Sequence, residues 1–140
     1  MSDSLEFHRA LRERYKADKL LASLEGGIDK HFTKVSGLTA RDISTSKDAI
    51  DDWGIFGLGK LGGRSCVVST FRLRAGKPTD PVIQARLMKV VNHELGHTFG
   101  LDHCPAVGCL MQDAGGEIAT VDGGSGIPCA ACAARLPLAK

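Results

Sequence analysis

Apolar residues recur at steps of three and four through residues 3 to 25: Phe7, Ala10, Leu11, Ala17, Leu21 and Leu24, with Arg9, Glu13, Lys16 and Lys19 on the opposite side. That period predicts one amphipathic helix. Asp3 with Glu6 gives it a box-like start, and Gly26-Gly27 stops it. Phe32, Val35 and Leu38 make a weaker strand over His31 to Thr39. Residues 40 to 52 are polar, with Asp42, Asp48, Asp51 and Asp52, and predict a loop or short turn. Trp53 to Lys60 mixes aromatic and apolar residues with glycines. Glycines inside a strand mark a bulge or a close backbone approach. Arg64 to Leu73, rich in Val, Thr and Phe, is the clearest strand. Leu61-Gly62-Gly63 would join the last two segments as a hairpin.

A second helix is predicted from Thr79-Asp80-Pro81, with Asp80 as cap and proline in the first turn. It runs to Gly100 and buries Ile83, Leu87, Val90 and Val91 against the sheet. Residues 112 to 128 read as a glycine-rich loop. Its Gly123-Gly124-Ser125-Gly126 run neither follows a strand nor opens a helix, so it reads as a link and not a phosphate cradle. Asp113, Glu117 and Asp122 match no calcium-loop spacing and read as solvated charges.

A length of 140 residues suits a single domain with a real core, and 43% hydrophobic with 24% charged residues fits an ordinary globular chain. A net charge of +2 argues for neither a nucleic-acid partner nor a membrane surface. No apolar run is long enough to span a bilayer, and Met1-Ser2-Asp3-Ser4 leads into charge without a secretory apolar core. A cytoplasmic setting with reduced thiols is expected, and there five cysteines suggest metal before disulfides.

The chemistry concentrates in Asn92-His93-Glu94-Leu95-Gly96-His97-Thr98-Phe99-Gly100-Leu101-Asp102-His103, an H-E-x-x-H-x-x-G-x-x-H stretch. Residues four apart on a helix share a face, so His93 and His97 can aim two imidazoles at one metal. Glu94, the next residue round, reaches the open side of that metal without being a ligand. Gly100 lets the chain leave the helix and turn back, so that His103 supplies a third nitrogen. Three protein ligands and an open position describe a catalytic zinc.

Cys104 and Cys109, then Cys129 and Cys132, follow as C-x4-C and C-x2-C. That spacing suits four thiolates on a structural zinc, stapling a segment too short to bury its own core. Two disulfides, or a redox role for the Cys129 and Cys132 pair, are the alternatives. Cys66, alone in a strand, reads as a small buried hydrophobe. His8 and His31 read as surface histidines.

Both constellations together are similar to the archaemetzincin family of the metzincin clan, whose pattern H-E-x-x-H-x-x-G-x3-C-x4-C-x-M-x17-C-x-x-C is met at His93, Glu94, His97, Gly100, Cys104, Cys109, Met111, Cys129 and Cys132. Weaker likeness extends upstream through Arg12, Tyr15 and Ala17, Gly37 to Asp42, and Gly62 to Ser69. The resemblance implies an α/β (α+β), metzincin-like fold. A twisted, mostly parallel sheet with one antiparallel edge strand would pack on a backing helix and the active-site helix. Residues 1 to 140 would form one catalytic domain: a sheet and helix subdomain over 1 to 100, then a small zinc-stapled subdomain over 101 to 140. The strand that precedes the first helix in the family is expected to be missing. Trp53 to Lys60 would be the edge strand along which an extended peptide binds. Met111 would be the Met-turn residue, an apolar floor beneath the zinc histidines.

The expected activity is that of a zinc metallopeptidase with two zinc ions per chain, acting as a monomer. Zinc-bound water would be the nucleophile and Glu94 the general base. The alternative is a catalytically silent, zinc-stabilised protein-interaction domain. Nucleic-acid binding through the cysteine site is disfavoured, because residues 104 to 140 carry only Arg135 and Lys140 as bases and no aromatic.

Overall fold

A computed structural model describes residues 14–137. It contains β1 (Tyr15–Lys16), α1 (Ala17–Gly27), β2 (Val35–Thr39), β3 (Ile43–Lys47), β4 (Ile50–Ile55), β5 (Gly57–Gly59), β6 (Ser65–Ser69), α2 (Asp80–Thr98), α3 (Ile118–Gly123) and α4 (Ala130–Arg135). A 3-10 turn at Arg72–Arg74 links β6 to α2.

β6 (S-C-V-V-S) is buried at every position and organises the core. It pairs in parallel with β2, Val35 opposite Ser65 through Thr39 opposite Ser69. On its other side it pairs antiparallel with β5, Leu58 opposite Val67. Its alternating side chains serve two layers. Val67 packs with Ala17 and Ile43, where Leu20 and Leu24 of α1 also rest. Val68 packs with Phe56, Leu73, Val90 and Val121, against α2 and α3. The apolar period of α1 and that of α2 therefore cover opposite faces of one sheet. At about 25 cal/mol per Å² of apolar area, such burial is the main force holding the layers.

A second sheet has the order β1-β3-β4, parallel between β1 and β3 and antiparallel between β3 and β4. A buried carboxylate joins the two sheets. Asp42, ahead of β3, accepts hydrogen bonds from Arg72 Nε (2.9 Å) and Nη2 (3.2 Å). Arg14 Nε lies 2.9 Å from Asp42 Oδ2, as an ion pair without hydrogen-bond alignment.

The α/β class agrees with expectation, but several elements differ. Of the helix expected over 3 to 25, residues 3 to 13 lie outside the described residues, as does His8. Tyr15 and Lys16 form a strand, and the helix starts at Ala17 and continues through Gly26 and Gly27. The predicted loop over 40 to 52 is largely the β3–β4 hairpin, turned at Asp48 with φ 52°. Its tip is exposed, so no apolar alternation marks it. Trp53 to Lys60 divides between β4 and β5, in different sheets, with Phe56 turned into the core between them. The expected single sheet is thus two of three strands each. The strand from Arg64 stops at Ser69. Thr79, not Asp80, precedes α2, and its side chain makes no capping bond. The loop over 112 to 128 contains α3, and Cys129 leads directly into α4. Among the described residues no helix is long and apolar enough to cross a membrane.

Candidate functional site

α2 carries His93, Glu94 and His97, and the sheet behind it fixes their height. Val90 is buried one turn before Glu94, with Leu87 and Val91 packed on the same cluster. β5 crosses close to the helix because it lacks side chains at two of its three positions. A Cβ on Gly57 would lie 2.9 Å from Glu94 Cγ, and one on Gly59 would lie 2.5 Å from Glu94 O. The glycines of this stretch mark a close backbone approach, as their pattern predicted.

The end of α2 is held on three sides. Gly100, with φ 92°, donates to His97 O (2.9 Å), and Leu101 N donates to Gly96 O (3.0 Å). This double bond pattern is a Schellman stop. Gly62 N donates to His97 O (2.9 Å), and Lys34 Nζ donates to Thr98 O (3.0 Å) and Gly63 O (2.7 Å). A lysine at a helix C-terminus also meets the negative end of the helix dipole.

The imidazoles are oriented by backbone carbonyls. His93 Nδ1 lies 2.7 Å from Leu110 O, and His97 Nδ1 lies 2.6 Å from Leu101 O. A carbonyl only accepts, so both Nδ1 atoms carry the proton and both Nε2 lone pairs are free. Those Nε2 atoms converge to 3.2 Å. His103, folded back by the turn, brings its ring centroid to 5.3 Å from His93 and 4.9 Å from His97. One ligand atom from each of the three lies within 4.8 Å of the others. Two nitrogens about 2.0–2.1 Å from a tetrahedral zinc stand roughly 3.3 Å apart, so the donor set fits that ion. Burial holds the His93 imidazole down to about 4, and that of His97 below its usual value, which keeps both neutral and able to ligate.

Glu94 is 6% exposed and lines the same cleft, with Oε1 at 3.8 Å from His93 Nε2. Burial pushes its carboxyl up to about 8, opposed in part by the Gly59 N–H. A cation held by the histidines would draw it back toward the carboxylate. Asp113, expected to be a solvated charge, brings its Oδ2 to 3.7 Å from His103 Nδ1.

Met111 is fully buried, packed with Leu101, Cys109 and Cys132. A Cβ on Gly96 would fall 2.5 Å from Met111 Sδ, so the helix admits the methionine only at a glycine. Met111 O accepts from Cys104 N (2.9 Å), tying this residue to the cysteine cluster.

Cys104, Cys109, Cys129 and Cys132 each offer one sulfur to a common centre, all within 4.8 Å. Cys104 Sγ to Cys129 Sγ is 3.8 Å and Cys109 Sγ to Cys132 Sγ is 3.9 Å. Four thiolates at about 2.3 Å from zinc stand roughly 3.8 Å apart, so this set fits too. The Cys132 and Cys109 groups lower the Cys129 thiol to about 7, chiefly through the Cys132 N–H, while burial raises Cys132. Cys66, the second residue of β6, is buried, with Sγ 3.1 Å from Ser36 Oγ. His31 is exposed and bonded to Asp29. Asp122, likewise expected to be solvated, instead accepts from the buried Arg86 through both oxygens at 2.8 Å.

The Leu101 and Leu110 carbonyls, Gly96 and Lys34 were not foreseen. Carbonyls have no side-chain signature, and Gly96 is one glycine among 17.

Residues 3–137 match the model of Peptidase family M54. The archaemetzincin of Haloquadratum walsbyi is 37% identical over 110 residues, covering 72% of this chain and 59% of the relative. That of Methanopyrus kandleri is 37% identical over 102 residues, covering 73% and 54%. The chain thus spans somewhat over half the length of these relatives. The crystal structure of the Methanopyrus kandleri archaemetzincin superposes with a TM-score of 0.75 at 35% identity, over 87% of this chain and 63% of that one. The archaemetzincin of Archaeoglobus fulgidus, complexed with malonate, gives 0.73 at 28% identity, over 91% and 72%.

Proposed function

The chain belongs to peptidase family M54, the archaemetzincins, and we propose that it hydrolyses peptide bonds with one catalytic and one structural zinc. The observation that carries this reading is the convergence of His93, His97 and His103 beside buried Glu94 in one cleft. A silent interaction domain has no use for a carboxylate buried at that position.

His93, His97 and His103 would hold the catalytic ion; Cys104, Cys109, Cys129 and Cys132 would hold the structural one. A zinc ion on the imidazoles would supply Lewis acidity and lower the pKa of water to about 7. The proton traffic belongs to Glu94. Its carboxylate removes a proton from the attacking water and returns it to the leaving amide nitrogen. The Leu101 and Leu110 carbonyls keep the two helix imidazoles facing inward throughout. A peptide would lie extended beside β5, the edge strand that packs closely against Glu94. Residues up to about 100 would then serve as scaffold and helix. The segment from 101 on would serve as the stapled floor carrying His103 and Met111.

The test compares wild type with Glu94→Gln at equal zinc content on a peptide library. The variant should keep both zinc ions while its hydrolysis rate falls about 10²–10⁴-fold or further. Cleavage at the wild-type rate would overturn the mechanism.

A further inference from the structure

The cleft of about 470 Å³ extends along α2 away from His103, into a recess that the proton chemistry of Glu94 does not use. Lys89 and Val90 line it from the helix, facing Val121, Gly124 and Gly126. Lys89 lies four residues before His93 and Val90 four before Glu94. Each therefore stands one turn, about 5–6 Å, along the same face as the group it precedes. A side chain adjoining a peptide bond placed at the histidines would be within reach of this recess.

The charge there is unbalanced. Lys89 Nζ donates to Val121 O and Asp122 O, both at 3.2 Å, and both acceptors are neutral carbonyls. An ammonium has three donors, so one remains. The nearby Asp122 carboxylate is taken by Arg86, which binds both its oxygens at 2.8 Å. Lys47, the other lysine of the cleft, sits 5.0 Å over the Trp53 ring and acts on Asp113. Lys89 also acts on Asp122, but both oxygens of that carboxylate are taken by Arg86, so two cations share one carboxylate and the charge at Lys89 is only partly met. The recess is also shaped for a short side chain. Buried Val90 and Val121 give apolar walls, and a Cβ on Gly126 would already touch Lys89 Cγ at 3.6 Å.

We infer that this recess selects peptides with a glutamate or aspartate flanking the scissile bond, its carboxylate meeting the third donor of Lys89 and its methylenes the two valines. This rests on the peptidase reading of the same cleft. The recess would remain a binding site for an acidic side chain even in a protein that cannot cleave.

The experiment therefore measures binding without turnover. Zinc-loaded Glu94→Gln is titrated calorimetrically with hexapeptides that carry one Glu, Gln, Leu or Lys, scanned through each position. One position should favour Glu over Gln by about tenfold or more, as for a charge-assisted hydrogen bond. Adding Lys89→Met should bring that ratio to about one. Adding Lys89→Arg should keep a Glu preference, which covers the case where Lys89→Met unfolds α3. Equal binding of Glu and Gln peptides in the presence of Lys89, no binding of any peptide, or a Glu preference that survives Lys89→Met overturns the inference. Wild-type digestion of the same panel separates the two readings. Acid-selective binding without hydrolysis overturns the peptidase reading alone, whereas hydrolysis indifferent to acidic residues overturns the role of Lys89 alone.

Discussion

A methyl group on Gly96 would land 2.5 Å from Met111 Sδ, and Met111 is fully enclosed, so its thioether has nowhere to retreat. Overpacking of this kind costs about 1–3 kcal/mol. Alanine in a helix interior returns about 1 kcal/mol over glycine. With Met111 fully enclosed the first effect is the larger, so Gly96→Ala should lower stability to denaturant, by up to about 2 kcal/mol. Gly26→Ala, with nothing within 4 Å of its Cβ, serves as the control and should raise stability. A stabilised Gly96→Ala would mean that Met111 does not press on the helix as described. At this scale the two clusters of candidate ligands were legible because metal chemistry demands particular residue types at particular spacings. What orients them was not, since it consists of two carbonyls and an absent side chain.

α2 is anchored as an element by a buried cation. Arg86 donates to Leu73 O (2.8 Å) and Ala75 O (3.0 Å) as well as to Asp122, binding the helix to the 3-10 turn and to α3. The Arg86 hydrogen bonds hold the Asp122 carboxyl below its ordinary value of 3.8. A depressed folded-state pKa contributes stability that is present above the unfolded value and lost as pH falls through the folded one. Melting temperatures of wild type should therefore fall more steeply below about pH 4 than those of Asp122→Asn, which should start lower at pH 7. Parallel curves for the two proteins would remove Asp122 as the titrating partner. The helix itself was readable from its apolar period, and β6 from its run of Val and Cys. The β3–β4 hairpin was not, because an exposed ribbon has no inner face to impose alternation. α3 was hidden for a different reason: six residues that follow Gly115-Gly116 and run into Gly123-Gly124 carry too few turns for a period to register.

Across the whole molecule, the two candidate metal centres share a backbone. His103 and Cys104 are adjacent, and Cys104 N bonds to Met111 O, next to the Leu110 carbonyl that orients His93. Releasing the thiolate staple should loosen both contacts. The Cys129→Ser, Cys132→Ser double variant is therefore expected to bind zinc at the imidazoles about 10–100-fold more weakly, the range seen when supporting contacts to ligands are lost. Competition with a chromophoric chelator reads this directly, and unchanged affinity would mean the two centres are independent. Beneath all these expectations lies the metal assignment itself. Anomalous diffraction at the zinc edge from zinc-loaded crystals tests it most directly. Two peaks are predicted, one among His93, His97 and His103 and one among the four cysteine sulfurs. A filled thiolate site beside an empty imidazole site would contradict the account.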